Sequence, residues 1–355
     1  MRCRLFLLRV VFVCVCLSAF PARGAVRAEA SADAPDLIGA EMRALEAESS
    51  YVVKIIAGSK DNLSLGTGFV FKDSGAWHLV TNNHVVEQAS LTAWVQFHGT
   101  GGYQRVRIIG RDPAQDTALL EAPTPIPDGI VPAVLGKSRE LRVGDRVYAI
   151  GHPYGKRNVS IGWVNGLTSP ISSHFVSTQA PMHPGNSGGP LVRFRDGTPE
   201  IVGLNTAIAT TGLLSMSLGI DHLRKMLPRL KTERVVHHAS SGLLVRDIDD
   251  VPPPLFEAAT DTPYAERSTL CSGVFIYEVQ AHSSAEKVGV RAGDCVRSII
   301  LVGREVSFRS AEQFADMIFF DFRPEERVTI KTTRGSQEFL REITLGTHTK
   351  TPGSK

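Results

Sequence analysis

Long hydrophobic runs are missing from this 355-residue chain. No stretch reaches the roughly 20 apolar residues of a membrane-spanning helix, which excludes a polytopic α-helical membrane protein. A dominant charge of one sign is missing as well. The formal charge of +3 rests on Arg2, Arg4, Arg9 and Arg23, and the residues beyond position 25 sum to −1. That balance predicts no nucleic-acid partner. Cysteine is scarce, and three of the five (Cys3, Cys14, Cys16) crowd into the first 25 residues. Only Cys271 and Cys295 lie beyond. In an exported chain they could form one disulfide, but cysteine is often simply buried, so two separate core thiols are expected. What is present is globular: 43% hydrophobic and 21% charged residues, over a length that suits two domains.

Residues 1–25 read as a secretory signal. Arg2, Arg4 and Arg9 open it, the apolar stretch Val10–Phe20 follows, and Pro21-Ala22-Arg23-Gly24-Ala25 supplies small residues for cleavage near Ala25. The alternatives are an uncleaved anchor formed by residues 5–20, and a mitochondrial presequence, since no acid precedes Glu29.

Residues 26–49 form an N-terminal segment in which 36–48, rich in Ala, Glu and Leu, predict a helix. Short β-like runs follow at 51–56, 68–71, 78–81, 92–97, 106–109, 146–150 and 200–204, separated by Gly, Pro, Asn and Asp. Many short strands punctuated in this way predict a sandwich or barrel over 50–232. Helical patterning returns at 221–230. Polar residues 233–239 read as a linker, His237 and His238 included, because no further metal ligands stand nearby. Residues 240–346 form a second, α+β domain, with strands at 273–279, 294–301, 328–332 and 339–345. A short helix is expected at 283–288, and a longer one at 310–320 whose Ser310 and Gln313 fit a capping box. Pro252-Pro253-Pro254 reads as a stiff loop, and 347–355 as a disordered tail.

The sharpest motif is Gly185-Asn186-Ser187-Gly188-Gly189-Pro190. A serine hydroxyl becomes a nucleophile only when a base takes its proton. Glycines around it let the backbone turn tightly and aim amides at a developing oxyanion. Gly185 and Ser187 are the expected donors, with Asn186 a third candidate. His84, at the end of the apolar run Leu79-Val80-Thr81, is the candidate base, and Asp116 in Asp116-Thr117-Ala118-Leu119-Leu120 the acid that orients it. The spelling G-x-S-x-G also occurs in α/β-hydrolases, but there a helix follows the serine and the acid and base come later. Here Leu191-Val192-Arg193-Phe194 looks like a strand, and His84 and Asp116 precede Ser187.

These pieces, with Gly66-Thr67-Gly68-Phe69 and Gly203-Leu204-Asn205-Thr206-Ala207-Ile208, resemble the HtrA/Deg family of trypsin-like serine proteases over residues 50–230. The resemblance implies a chymotrypsin-like double β-barrel endopeptidase acting on unfolded or damaged proteins, exported to the periplasm, assembled as a homotrimer and needing no cofactor or metal. The chain departs from the family pattern at Gln179, where aspartate is usual, and at His183, where asparagine is usual. An idle triad on a chaperone or peptide sensor is therefore the alternative function. The pocket walls implied are 181–185 and Asn205, Thr206, Ala207 and Ile208. Cleavage after Lys or Arg needs a carboxylate in such a pocket. No acid lies between Asp145 and Asp196 or between Glu200 and Asp221, so small or medium apolar residues are expected before the cut.

The second domain is similar to the PDZ domain that follows the protease in this family. Such a domain holds peptide C-termini in a nest of amides. By resemblance Ser241, Gly242 and Leu243 would form the nest, and Phe314, Ala315 and Ile318 would wall the groove. Two serines, Ser240 and Ser241, stand where the family has an aromatic residue and a leucine.

Overall fold

A computed structural model describes residues 36–167, 175–208, 214–271 and 273–348. The expected signal segment, most of the expected tail, and part of the loop before Ser187 lie outside the described residues. Two closed six-stranded barrels dominate. The first contains β1 (Val52–Ser59), β2 (Asn62–Asp73), β3 (Ala76–Thr81), β4 (Thr92–Phe97), β5 (Gln104–Asp112) and β6 (Thr117–Glu121). The second contains β7 (Arg146–Gly151), β8 (Asn158–Gly166), β9 (Phe175–Thr178), β10 (Pro190–Arg195), β11 (Thr198–Ile208) and β12 (Ser215–Gly219). Side chains alternate as a pleated strand requires. In β4, Ala93, Val95 and Phe97 are buried while Thr92, Trp94 and Gln96 are not. Each barrel closes on itself and leaves no edge.

Among the described residues, three α-helices belong to this double barrel. The expected one is α1 (Leu37–Glu48), capped by Asp36, whose carboxylate accepts from the Gly39 amide at 2.9 Å. Glu41 fastens α1 to the second barrel through Arg146 at 2.8 Å and through the Tyr148 hydroxyl. Desolvation and this bond to Glu41 push the Tyr148 phenol well above its usual pKa. A single turn, α2 (Asn83–Val86), follows β3. The third, α3 (Ile220–Thr232), buries Ile220, Leu223, Met226, Leu227 and Leu230, one stripe at helical spacing.

The remaining chain forms a six-stranded sheet from β14 (Leu243–Asp247), β15 (Val274–Val279), β16 (Cys295–Leu301), β17 (Arg304–Ser307), β18 (Arg327–Arg334) and β19 (Gln337–Thr344). A small ladder joins β13 (Ala239–Ser240) to β20 (Gly346–Thr347). Helices α4 (Pro253–Thr260), α5 (Arg267–Leu270), α6 (Ser284–Lys287) and α7 (Ala311–Asp316) pack around the sheet. Ser310 caps α7 as expected, accepting from Gln313 N at 3.2 Å, and the helix continues as a π turn over Met317–Asp321.

Three expectations are corrected. Pro253 and Pro254 open α4 instead of forming a loop; the first helical turn has no partner for its amides, so proline costs nothing there. Cys271 and Cys295 are bonded to one another. Phe275 of β15 pairs with Cys295, and Cys271 lies just before that strand, which brings the two Cα atoms to 5.7 Å. The segment 233–239 is no free linker. Val235 bridges Arg111 of β5, Val236 N donates to the Arg111 carbonyl at 2.8 Å, and His238 is buried.

Candidate active site

The candidate base and acid meet in the first barrel. The Asp116 carboxylate spans both ends of His84, taking the backbone amide on Oδ1 at 2.9 Å and ring Nδ1 on Oδ2 at 2.7 Å. A carboxylate accepts only, so Nδ1 carries the proton and Nε2 is left to face a nucleophile. Asp116 sits at φ +50°, sparsely populated for a residue with a side chain. The Asn82 side chain holds its carbonyl at 2.8 Å, and the Thr206 hydroxyl donates to Oδ2 at 2.6 Å.

The serine turn comes from the second barrel and docks onto this corner. Thr67 N donates to the Ser187 carbonyl at 2.8 Å, and Thr67 Oγ1 donates to the Gly185 carbonyl at 2.7 Å. Gly66 marks the crossing: a Cβ there would meet Val85 at 2.6 Å and the Ser187 carbonyl at 3.2 Å. Gly188 is tighter still, at φ +83°, where a Cβ would lie 2.2 Å from both the Thr67 carbonyl and Thr81 Oγ1. Gly188 is thus required by close approach of the two barrels, while Gly185 and Gly189 are crowded by the His152 and Ile150 carbonyls.

The oxyanion donors expected at Gly185 and Ser187 remain candidates, but the third does not. The Asn186 amide donates to the His183 carbonyl at 2.9 Å, within the turn. Gly185 adopts φ +104° against the His152 carbonyl, and the Pro184 carbonyl accepts from Tyr154 N at 3.4 Å. His183 and Gln179, the two departures from the family pattern, are both exposed.

Several residues play parts other than those expected. Asn205 is fully buried; its side chain donates to the Pro190 carbonyl at 3.1 Å and accepts from Ser217 at 3.0 Å, so it braces β10 and β12 instead of walling a pocket. Thr206 points its hydroxyl at Asp116. Ala207 and Ile208 continue β11; their side chains lie outside what is described. Phe314 and Ile318, expected on a groove wall, lie in the core of the second sheet at 1% and 3% exposure, while Ala315 is exposed. Gly242 N and Leu243 N donate to the hydroxyls of Ser240 and Ser241, each at 3.3 Å, so the expected nest is already capped from within.

Sequence reasoning missed Thr67 and His152. Thr67 is the knot beneath the site: its hydroxyl also accepts from His152 N at 2.9 Å, and its carbonyl accepts from Thr81 at 2.6 Å. His152 is buried beside it, and burial, with Lys54 and Arg157 near, pushes its pKa down to about 4. Only the Gly66-Thr67-Gly68 spacing could have pointed to that position. No group of His, Cys, Asp and Glu among the described residues is placed to hold a metal.

Residues 66–204 match the model of the trypsin-like peptidase domain. The chain is 31% identical over 298 residues to the serine protease Do-like HtrA of Bacillus subtilis, covering 79% of this chain and 63% of that protein. It is 30% identical over 247 residues to the periplasmic serine endoprotease DegP of Salmonella typhimurium, covering 67% and 48%. It thus spans about 63% or less of these relatives' length. Among solved structures, the HtrA-type protease AlgW with a tripeptide superposes with a TM-score of 0.67 at 23% identity, over 88% of this chain and 99% of that one. The serine endoprotease from Yersinia pestis gives 0.62 at 21%, over 87% and 98%. With paired closed barrels, a histidine held by an aspartate, and a glycine-bound serine turn docked beside them, the chain carries a trypsin-like peptidase domain and is similar to the HtrA-type serine proteases.

Proposed function

We propose that this chain is an exported serine endopeptidase that cuts unfolded or damaged proteins after small or medium apolar residues. The observation that carries the reading is the Asp116 carboxylate bonded to both the amide and ring Nδ1 of His84, beside the turn that bears Ser187. Ser187 Oγ attacks the peptide carbonyl as His84 Nε2 takes its proton, and Asp116 steadies the resulting imidazolium. The negative oxygen of the tetrahedral intermediate lies toward the amides of Gly185 and Ser187. His84 then gives the proton to the departing amine, and a water activated by the same nitrogen hydrolyses the acyl-enzyme. The neighbouring Pro184 carbonyl is engaged by Tyr154 N at 3.4 Å.

Export through residues 1–25 to the periplasm, a PDZ-type domain over 240–346 and a homotrimer belong to the same reading. The internal capping of Gly242 and Leu243 favours a second domain that packs on the protease over one that seizes peptide termini. Casein cleavage and fluorophosphonate labelling of the mature protein and of Ser187→Ala test the reading. Loss of both in the variant, by about 10⁴-fold or more in rate, is expected. Equal residual cleavage in the two proteins would defeat it, and aggregation suppression without labelling would favour the chaperone alternative.

A further inference from the structure

His238 lies in the segment that joins the barrels to the second sheet, bonded to the residue that opens the turn before Asp116. Its ring is completely enclosed, as is the carboxylate of Asp112, and Nε2 lies 2.8 Å from Asp112 Oδ2. Nδ1 lies 2.9 Å from the Phe319 carbonyl, and the Phe319 ring stacks on the imidazole at 3.7 Å and 12°. Phe320 meets the same ring edge-on. A backbone carbonyl can only accept, so Nδ1 donates to Phe319, and Nε2 shares one proton with the Asp112 carboxyl. A polar pair this deeply buried holds only while both partners are fully bonded.

Asp112 spends its other oxygen on the catalytic side. Oδ1 accepts from Gln115 N at 3.0 Å, closing the turn Asp112-Pro113-Ala114-Gln115. The Thr117 hydroxyl holds the Gln115 carbonyl at 3.1 Å, and Asp116, at φ +50°, stands between them. One carboxylate therefore both shapes the turn and moors it to His238. Neighbouring bonds keep the mooring in place: Arg111 N to the Arg234 carbonyl at 3.1 Å, and His348 N to the His238 carbonyl at 2.8 Å. Without His238, Asp112 would be a buried carboxyl oxygen with no partner on that side. Its cheapest relief is to swing toward water, and that opens the turn holding Asp116 in its strained conformation.

We propose that His238 is a positioning residue of the catalytic site: clamped between Asp112 and Phe319, it fixes the Asp112–Asp116 turn that presents Asp116 to His84. The inference rests on the reading of Asp116 as the acid that orients His84.

The test uses the full chain as wild type, His238→Ala and His238→Gln, the last keeping a neutral donor toward Asp112. The first readout needs no turnover: the far-downfield Nδ1 proton resonance of His84, assigned by its loss in His84→Gln. The second is the rate of fluorophosphonate labelling at Ser187, with kcat and KM separated on a peptide substrate. His238→Ala is expected to shift or broaden the resonance and slow labelling and kcat by about tenfold or more with KM little changed. His238→Gln is expected to recover most of the rate, with a shortfall of about two- to fivefold and a resonance between the other two. Variants that melt earlier yet keep the wild-type resonance and rate would reduce His238 to a packing role and overturn the inference. If His238→Ala does not fold, His238→Gln decides alone, and identity with wild type in both readouts overturns it. A wild-type protein that neither labels nor cleaves would count against the proteolytic reading, and the resonance comparison would still support or overturn the role of His238.

Discussion

The Asp116 carboxylate is held by more groups than His84 alone, and each contact is separately testable. Thr206→Val removes the hydroxyl on Oδ2 while nearly keeping the volume. We expect kcat to fall about tenfold with KM unchanged, the scale of one charge-assisted hydrogen bond; a wild-type kcat would show that the contact does not orient Asp116. His152 makes a pH prediction. Its folded pKa of about 4 lies below the ordinary 6.5, because burial disfavours the charged ring. Between those values the unfolded chain binds a proton that the folded chain does not. Stability is therefore complete above about pH 6.5 and declines toward pH 4, by up to about 3 kcal/mol from this group. His152→Asn should flatten the slope of the urea midpoint across that window. An undiminished slope in the variant would remove His152 as its source. The residues that the sequence disclosed, His84, Asp116 and Ser187, each sit inside a short run whose neighbours share the task. Thr67, His152 and His238 act through partners about 80 to 130 positions away, and no local pattern announces such meetings.

At the scale of elements, the strands were legible where alternation was clean, as in β4, which matches its expected range of 92–97. Elsewhere the expected runs were shorter than the strands, since barrel strands continue past the apolar core into polar ends, as β2 does from Asn62 to Asp73. The π turn Met317–Asp321 after α7 had no signal at all, because 317–320 read as one helix with what precedes them. The serine turn is where element and chemistry coincide. Gly188→Ala would drive a methyl into the Thr67 carbonyl and Thr81 hydroxyl at a backbone angle that alanine resists. We expect labelling at Ser187 to vanish and the melting temperature to fall by several degrees, for a cost of about 2 kcal/mol or more. A labelled, equally stable variant would show that the turn has slack that the geometry denies.

Across the whole molecule, the disulfide and the barrels divide stability from chemistry. Cys271 and Cys295 enclose a loop with a sequence separation of 24 in the second sheet, away from the triad. Replacing both by alanine should cost about 3 kcal/mol of unfolding free energy, while cleavage of a short peptide stays within about twofold. A comparable loss of peptidase activity would mean that the second sheet supports the site far more tightly than its hydrogen bonds indicate. The division of labour between the barrels has a different outcome. His84 and Asp116 ride on one closed cylinder and Ser187 on the other, so reactivity is a matter of registration between two stiff bodies. A slip of about 1 Å at their seam would disarm the chemistry with every strand still paired. Such a protease can lie dormant without unravelling, and rearm without having to refold.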